Sequence, residues 1–290
     1  MLSNVLAASR SWAQAHPSLS SELWLSELYA DKDDPLCRLK HGVTWDEALQ
    51  FGLRRLTTPK NATKGPYFYG VSRFQCSDVH RRFWVKITSS FDLKYILTTN
   101  YDILIERALH DLLEDGRTQP QFYYGGFQYL QVVKKMRNLA GGTPDSVELG
   151  HRFALYKLHG SLNWAFEPHS LSMKIHDDVR AVFRVDKTRG RPAIVPPIPE
   201  KDMPLEFSHI WHEASRALEE SETWIVCGYS MPPYDIALAG YFGRALQNSR
   251  VRRIVILDPN SHDLQGRWNM RDDVQIDCRP GLPDALEIDW

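Results

Sequence analysis

Apolar positions along this chain follow two rhythms, and the change falls near residue 90. Before it the helical period dominates. Residues 3–30 carry it in two pieces split near Pro17, where serines offer N-caps ahead of Glu22, Leu23, Trp24 and Leu25. Thr44 is placed to cap a helix over 45–56, with Glu47 at the reciprocal capping position. Residues 57–75, rich in Pro, Gly, Thr and aromatics, read as a loop, and 78–90 as a helix. Beyond residue 90, short β-branched and aromatic runs take over. Strands are predicted at 94–99, 153–158, 223–227 and 253–257, with an edge strand at 274–277. Helical stretches separate them, notably from after Asp102 to near Leu113, at 207–221 and at 234–248. Strands alternating with helices imply an α/β fold built on a doubly wound, mostly parallel sheet. Two regions follow: a helical flank over 1–90 and an α/β domain over 91–290.

In a parallel sheet of this kind, ligands bind beyond the carboxyl ends of the strands. Polar residues or glycines stand at that point after all four clear strands. The first strand runs into Thr98-Thr99-Asn100-Tyr101-Asp102. An Asn side chain both donates and accepts, so Asn100 suits a ribose hydroxyl or a water. Asn100 and Asp102 read equally as caps of the next helix. The second strand ends at His159-Gly160-Ser161. An imidazole by its nature exchanges protons near neutral pH, so His159 suits acid–base work, and Gly160 permits a ligand to approach the backbone. A satisfied turn histidine is the plainer alternative. The third strand ends at Gly228-Tyr229-Ser230, ahead of Pro232-Pro233-Tyr234-Asp235 and a helix start. Small residues there let a backbone amide reach a phosphate or ribose. The fourth ends at Asp258-Pro259-Asn260, an acid suited to a ribose hydroxyl, or ordinary turn chemistry.

Composition narrows the classes. The chain has 290 residues, 43% hydrophobic and 24% charged, enough for a buried core and too apolar for wholesale disorder. A net charge of −1 gives no general attraction to nucleic acid or anionic membrane. The clusters Lys134-Lys135-Met136-Arg137 and Arg250-Val251-Arg252-Arg253 read as solvated faces. Cys37, Cys76, Cys227 and Cys278 form no CxxC pair, which argues against a thiolate zinc site and for a reducing, cytoplasmic setting. His209 and His212 share a helix face without an evident third ligand, so no metal is expected. Residues 1–25 lack the apolar core of a signal peptide, and no run is long enough to span a membrane.

The segments TTNYDILIERAL, KLHGSLNW, AIVPPIPEK, IVCGYSMPPYD and IVILDPN occur in this order between residues 90 and 262. Together they resemble the sirtuin-like domains of bacterial antiphage defence, which are tied to NAD depletion. The resemblance implies a Rossmann-like domain and a pocket for NAD⁺ as substrate, without a metal. It matches Asn100 and Asp102 to pocket residues near the nicotinamide ribose and His159 to the catalytic histidine. Thr98, Thr99, Tyr101, Gly160 and Ser161 flank them as binding positions. Gly228, Tyr229 and Ser230 correspond to the dinucleotide-contacting turn, and Asp258 with Asn260 to the adenosine-ribose end. Two departures stand out. Deacetylase members carry a four-cysteine zinc ribbon, absent here, which favours NAD⁺ cleavage over protein deacylation. Such domains also open with a strand and a GAGxS-type loop that cradles the pyrophosphate, and residues 1–60 contain none. The expectation is that this element lies upstream of Met1, or that the chain is a diverged member, a nucleotide-binding sensor or scaffold. The resemblance leaves the trigger to a homo-oligomer or a separately encoded sensor partner.

Overall fold

The computed structural model describes residues 2–17, 21–49, 78–106, 108, 121–125, 152–166, 173–175, 191–195, 205–231 and 235–281. The predicted loop at 57–75, the end of the helix towards Leu113 and the basic cluster at 134–137 lie outside these residues.

Helices α1 (Leu2–Ala15) and α2 (Ser21–Ala30) fall on either side of Pro17. They pack with a short helix, α3 (Cys37–His41), around Val5, Trp24, Leu28, Cys37, Val43 and Ala48. The capping box forms as its spacing predicts. The Glu47 amide donates to Thr44 Oγ1 at 3.3 Å, and the Thr44 amide donates to Glu47 Oε2 at 3.0 Å. That backbone bond, reinforced by the Arg38 guanidinium, holds the Glu47 carboxyl below its ordinary range.

Helix α4 (Asp78–Ser90) is followed, among the described residues, by nine strands: β1 (Tyr95–Thr98), β2 (Gln121–Tyr124), β3 (Arg152–Lys157), β4 (Gly160–Phe166), β5 (Met173–Ile175), β6 (Arg191–Ile194), β7 (Thr223–Cys227), β8 (Arg253–Leu257) and β9 (Gln275–Arg279). The five predicted strands correspond to β1, β3, β7, β8 and β9, with β9 at an edge. Among the described residues, helices α5 (Leu205–Glu220), α6 (Ile236–Asn248) and α7 (Ser261–Trp268) separate the later strands.

Six strands are parallel, in the orders β1-β3-β2 and β7-β8-β9. Ile254, Val255, Ile256 and Leu257 of β8 are all buried, as a central strand covered on both faces requires. Alternate residues serve different layers. Val255 and Leu257 meet Phe83 and Ile87 of α4, whereas Ile254 and Ile256 join the main core with α5 and α6. Phe207, Ile210, Ala214, Ala217 and Leu218 form the buried stripe of α5, and Leu238, Tyr241, Phe242, Ala245 and Leu246 that of α6. This is the helix-covered parallel α/β architecture expected from the alternation.

One feature differs from a single continuous sheet. Among the described residues β1 and β7 each end the order of their sheet, so the parallel strands stand as two blocks of three. A shared core, with Ile96 and Leu155 from one block and Trp224, Ile254 and Ile256 from the other, joins them.

The antiparallel sheet β5-β4-β6 has no counterpart in the sequence reading, which ended a strand at His159-Gly160-Ser161. The chain turns after β3 and re-enters a strand at once, through Gly160 at φ 83°. Every residue of β4 is buried. A Cβ at position 160 would collide with the Ala193 carbonyl oxygen, so the close approach of β6 by itself requires glycine here. Gly160→Ala is therefore expected to cost about 2 kcal/mol for the left-handed backbone and about 1–3 kcal/mol more for overpacking. Urea denaturation checks this, and an unchanged midpoint would contradict it.

Candidate active site at the strand ends

The carboxyl ends of β1 and β3 lie side by side, because Thr98 pairs with Lys157 in the parallel ladder. The pairing continues past both strands. The Leu158 amide donates to the Thr98 carbonyl and the Leu162 amide to the Tyr101 carbonyl, each at 2.9 Å. These bonds bring the loop carrying Asn100 against the turn carrying His159.

Asn100 is exposed, and no hydrogen bond of its side chain is found among the described residues. Its amide N–H donates to Thr98 Oγ1 at 3.1 Å, which fixes the turn and leaves the carboxamide outward. Asp102 does the capping work that its position allowed. Its Oδ1 accepts the Leu104 amide at 2.9 Å as the next helix begins. Tyr101 packs inward, and its hydroxyl donates to the Val195 carbonyl at 2.7 Å. Burial, and then the negative charge of Asp235, push this phenol far above its ordinary range, so it remains a donor.

His159 is 3% exposed. Its carbonyl accepts the Val195 amide at 2.9 Å, and Val195 thereby ties it to Tyr101. The imidazole is flanked by the rings of Tyr101 at 6.2 Å and Trp211 at 6.3 Å. Trp211 is pinned in turn, donating from Nε1 to the Leu158 carbonyl at 2.9 Å and accepting from the Tyr241 hydroxyl at its own carbonyl. Asp235 Oδ2 stands 4.0 Å from His159 Nε2, with both side chains buried. Because Asp235 follows β7 and His159 follows β3, this approach joins the ends of the two sheet blocks.

Gly228 adopts φ 62°, and nothing lies within 4 Å of where a Cβ would stand, so its backbone borders open space. Ser230 and Asn260 are exposed, and Asp258 is buried with its Oδ1 accepting the Asn260 amide at 2.8 Å. Met231 is left-handed at φ 48°, a strained conformation for a residue with a side chain. Arg267 braces it by donating to the Ser230 carbonyl at 2.5 Å and the Met231 carbonyl at 3.0 Å.

A family model described as SIR2-like domain matches residues 94–269, more than half of the chain. The chain belongs to the SIR2-like domain family. No curated protein matches it in sequence. SIR2-like domains use NAD, and several groups here suit its sugars: the outward Asn100 amide, the open backbone at Gly228, and Ser230 and Asn260. The start of α6 suits a pyrophosphate poorly. The buried Asp235 carboxylate stands at that helix N-terminus and would repel a phosphate where the amides would otherwise attract one.

Several positions matched by resemblance serve this SIR2-like fold internally. Ser161 is fully buried and donates to Asn163 Oδ1 at 2.6 Å. The Tyr229 ring sits among Phe242 and Trp268. Tyr101 and Gly160 are committed to Val195 and Ala193, as described above. Thr98 and Thr99 are half-buried beside Asn100. Among the described residues no group of three His, Cys, Asp or Glu could hold a metal ion, and no helix is long and apolar enough to cross a membrane.

The sequence reading missed Asp235 and Trp211, which reach His159 from distant segments. It also missed the buried pair beneath the site. Lys157 Nζ lies 2.9 Å from Glu106 Oε1 and also donates to the Asp102 carbonyl. The Tyr124 hydroxyl donates to the same Glu106 oxygen at 2.9 Å. Burial, then the Glu106 charge, raise the Tyr124 phenol well above its ordinary range, so it stays a donor. An apolar strand that ends on a lysine was the available signal. This pair ties the Asn100 loop to β3. Lys157→Ala should cost about 3–5 kcal/mol, because it leaves the Glu106 carboxylate buried without its cation, with only the Tyr124 hydroxyl, among the described residues, to hold it. The Lys157→Met, Glu106→Gln double variant should recover part of that loss in urea unfolding. A single variant as stable as wild type would contradict the assignment.

Proposed function

We propose that this SIR2-like protein hydrolyses NAD⁺ at the bond between nicotinamide and ribose, in the antiphage-defence setting that its motifs resemble. The observation that carries the reading is that the loop presenting the exposed Asn100 and the turn carrying His159 are held side by side, through backbone hydrogen bonds, at the adjacent ends of β1 and β3.

In the reaction, nicotinamide leaves with the electron pair of the C–N bond, and positive charge develops on the sugar. The Asn100 amide oxygen stabilises that charge or orients the attacking water. Such an interaction strengthens as the bond breaks, so it favours the transition state over the ground state. His159 receives the proton that water gives up, directly or through a ribose hydroxyl. Asp102 contributes by fixing the loop through its cap to Leu104 rather than by touching the sugar. Thr98, Thr99, Gly228, Ser230, Asp258 and Asn260 line the dinucleotide in this reading.

Purified protein should release nicotinamide from NAD⁺. Asn100→Ala and His159→Ala should each lower the rate by about 10²–10⁴-fold, the usual scale for a lost acid–base or electrostatic group. Full activity in both variants would remove the assignment.

A binding-only reading is favoured by one observation: a histidine 3% exposed resembles a satisfied structural residue. Cys227 offers a direct readout, because the residue is exposed beside Gly228 whereas Cys37 is buried; burial of its thiol pushes it up to about 12, so the alkylation is run at alkaline pH, where the thiolate is populated. In a protein lacking the other three thiols, NAD⁺ should slow alkylation of Cys227 under either reading. Protection without nicotinamide release selects the sensor, and absence of protection opposes both.

A further inference from the structure

We infer that Asp235 is a positioning residue for His159, its carboxylate set to hold the protonated imidazole while the ring carries the proton taken during turnover. The inference rests on the proposed role of His159 as base.

Three observations support it. Asp235 Oδ2 is 4.0 Å from His159 Nε2, a separation that a shift of about 1 Å or one bridging water turns into a hydrogen bond. Both groups are buried, so little solvent screens the attraction. Asp235 also occupies the N-cap position of α6 yet makes no side-chain cap bond. An aspartate there usually accepts an amide of the first turn. Here that use is given up, and the carboxylate faces the imidazole.

Among the described residues, the other charged or titratable groups near the ring have partners of their own or lie on other faces. From the loop after β1, Tyr101 donates to the Val195 carbonyl, and Asp102 accepts the Leu104 amide. On β3, Lys157 is held by Glu106. Helix α5 presents Trp211, while His209 and His212 lie on its exposed face. On β4, Ser161 and Asn163 carry no charge. Among the described residues Asp235 is thus the anion placed to act on His159, and it comes from the opposite sheet block. A shift in the spacing of the two blocks would change the proton affinity of the base.

The test is histidine-selective NMR of the whole chain, which does not depend on turnover. In wild type, His159 should titrate no lower than an ordinary histidine, although it is buried. Asp235→Asn should lower its proton affinity tenfold or more, the effect expected when an opposite charge at this distance is removed. Asp235→Glu should largely restore it. In nicotinamide release, Asp235→Asn should lower kcat with KM little changed, and activity should persist to lower pH. If Asp235→Asn does not fold, the wild-type titration alone decides: a value well below that of ordinary histidine overturns the inference. An unchanged His159 titration in a folded Asp235→Asn protein also overturns it. If wild type releases no nicotinamide, the function proposed for His159 fails, while the titration still judges the pair.

Discussion

The candidate site depends on backbone pairing that outlasts the strands themselves. Once β1 and β3 stop, the bonds from Leu158 to Thr98 and from Leu162 to Tyr101 still hold their exits together. A loop position such as Asn100 would otherwise sample many conformations, and fixing each backbone residue costs about 1–2 kcal/mol. Folding the domain meets that cost in advance. The outward carboxamide is then presented without further ordering when a ligand arrives, which is what preorganisation means physically.

The polar groups beneath this surface are placed with little slack. Lys157, Glu106 and Tyr124 form a buried cluster in which one Glu106 oxygen accepts from both neighbours. Glu106 Oε2 is buried with no hydrogen-bond partner among the described residues. Such a cluster is weak evidence for added stability, since desolvation offsets much of the attraction. It does favour one arrangement, because Lys157 also reaches the Asp102 carbonyl and so fixes the Asn100 loop at a second point. Beyond β7 the left-handed Met231 and its Arg267 brace hold the other rim in a conformation that the free chain disfavours. Both rims are therefore fixed by specific polar contacts in addition to core packing, in which Met231 is itself buried.

Much of the fold was legible because parallel α/β architecture writes itself locally. A buried strand such as β8 is a run of apolar residues, and α6 repeats its apolar stripe with helical period. The Thr44–Glu47 box followed from spacing alone. What stayed hidden was non-local or disguised. Strand β4 places Ser161 and Asn163 in the interior, where their mutual hydrogen bond replaces water, so its pattern reads as a polar turn. Gly160 was legible as a glycine with a purpose, but its neighbour proved to be the carbonyl of β6. Asn100 and His159 were singled out by their place after strands, and the structure puts both just beyond the ends of β1 and β3. Asp235 was passed over as part of a proline-rich turn, because its closeness to a histidine 76 positions earlier exists only once the two sheet blocks meet (235 − 159 = 76).

The central claim is that segments from both blocks face one ligand. Backbone amide shifts recorded while NAD⁺ is titrated into the whole chain would test it most directly. The account predicts that signals from 98–102, 158–160, 228–231 and 258–261 move together, with a common saturation curve. Shifts confined to one block, or lying on the α1–α3 flank while these four segments stay still, would contradict it.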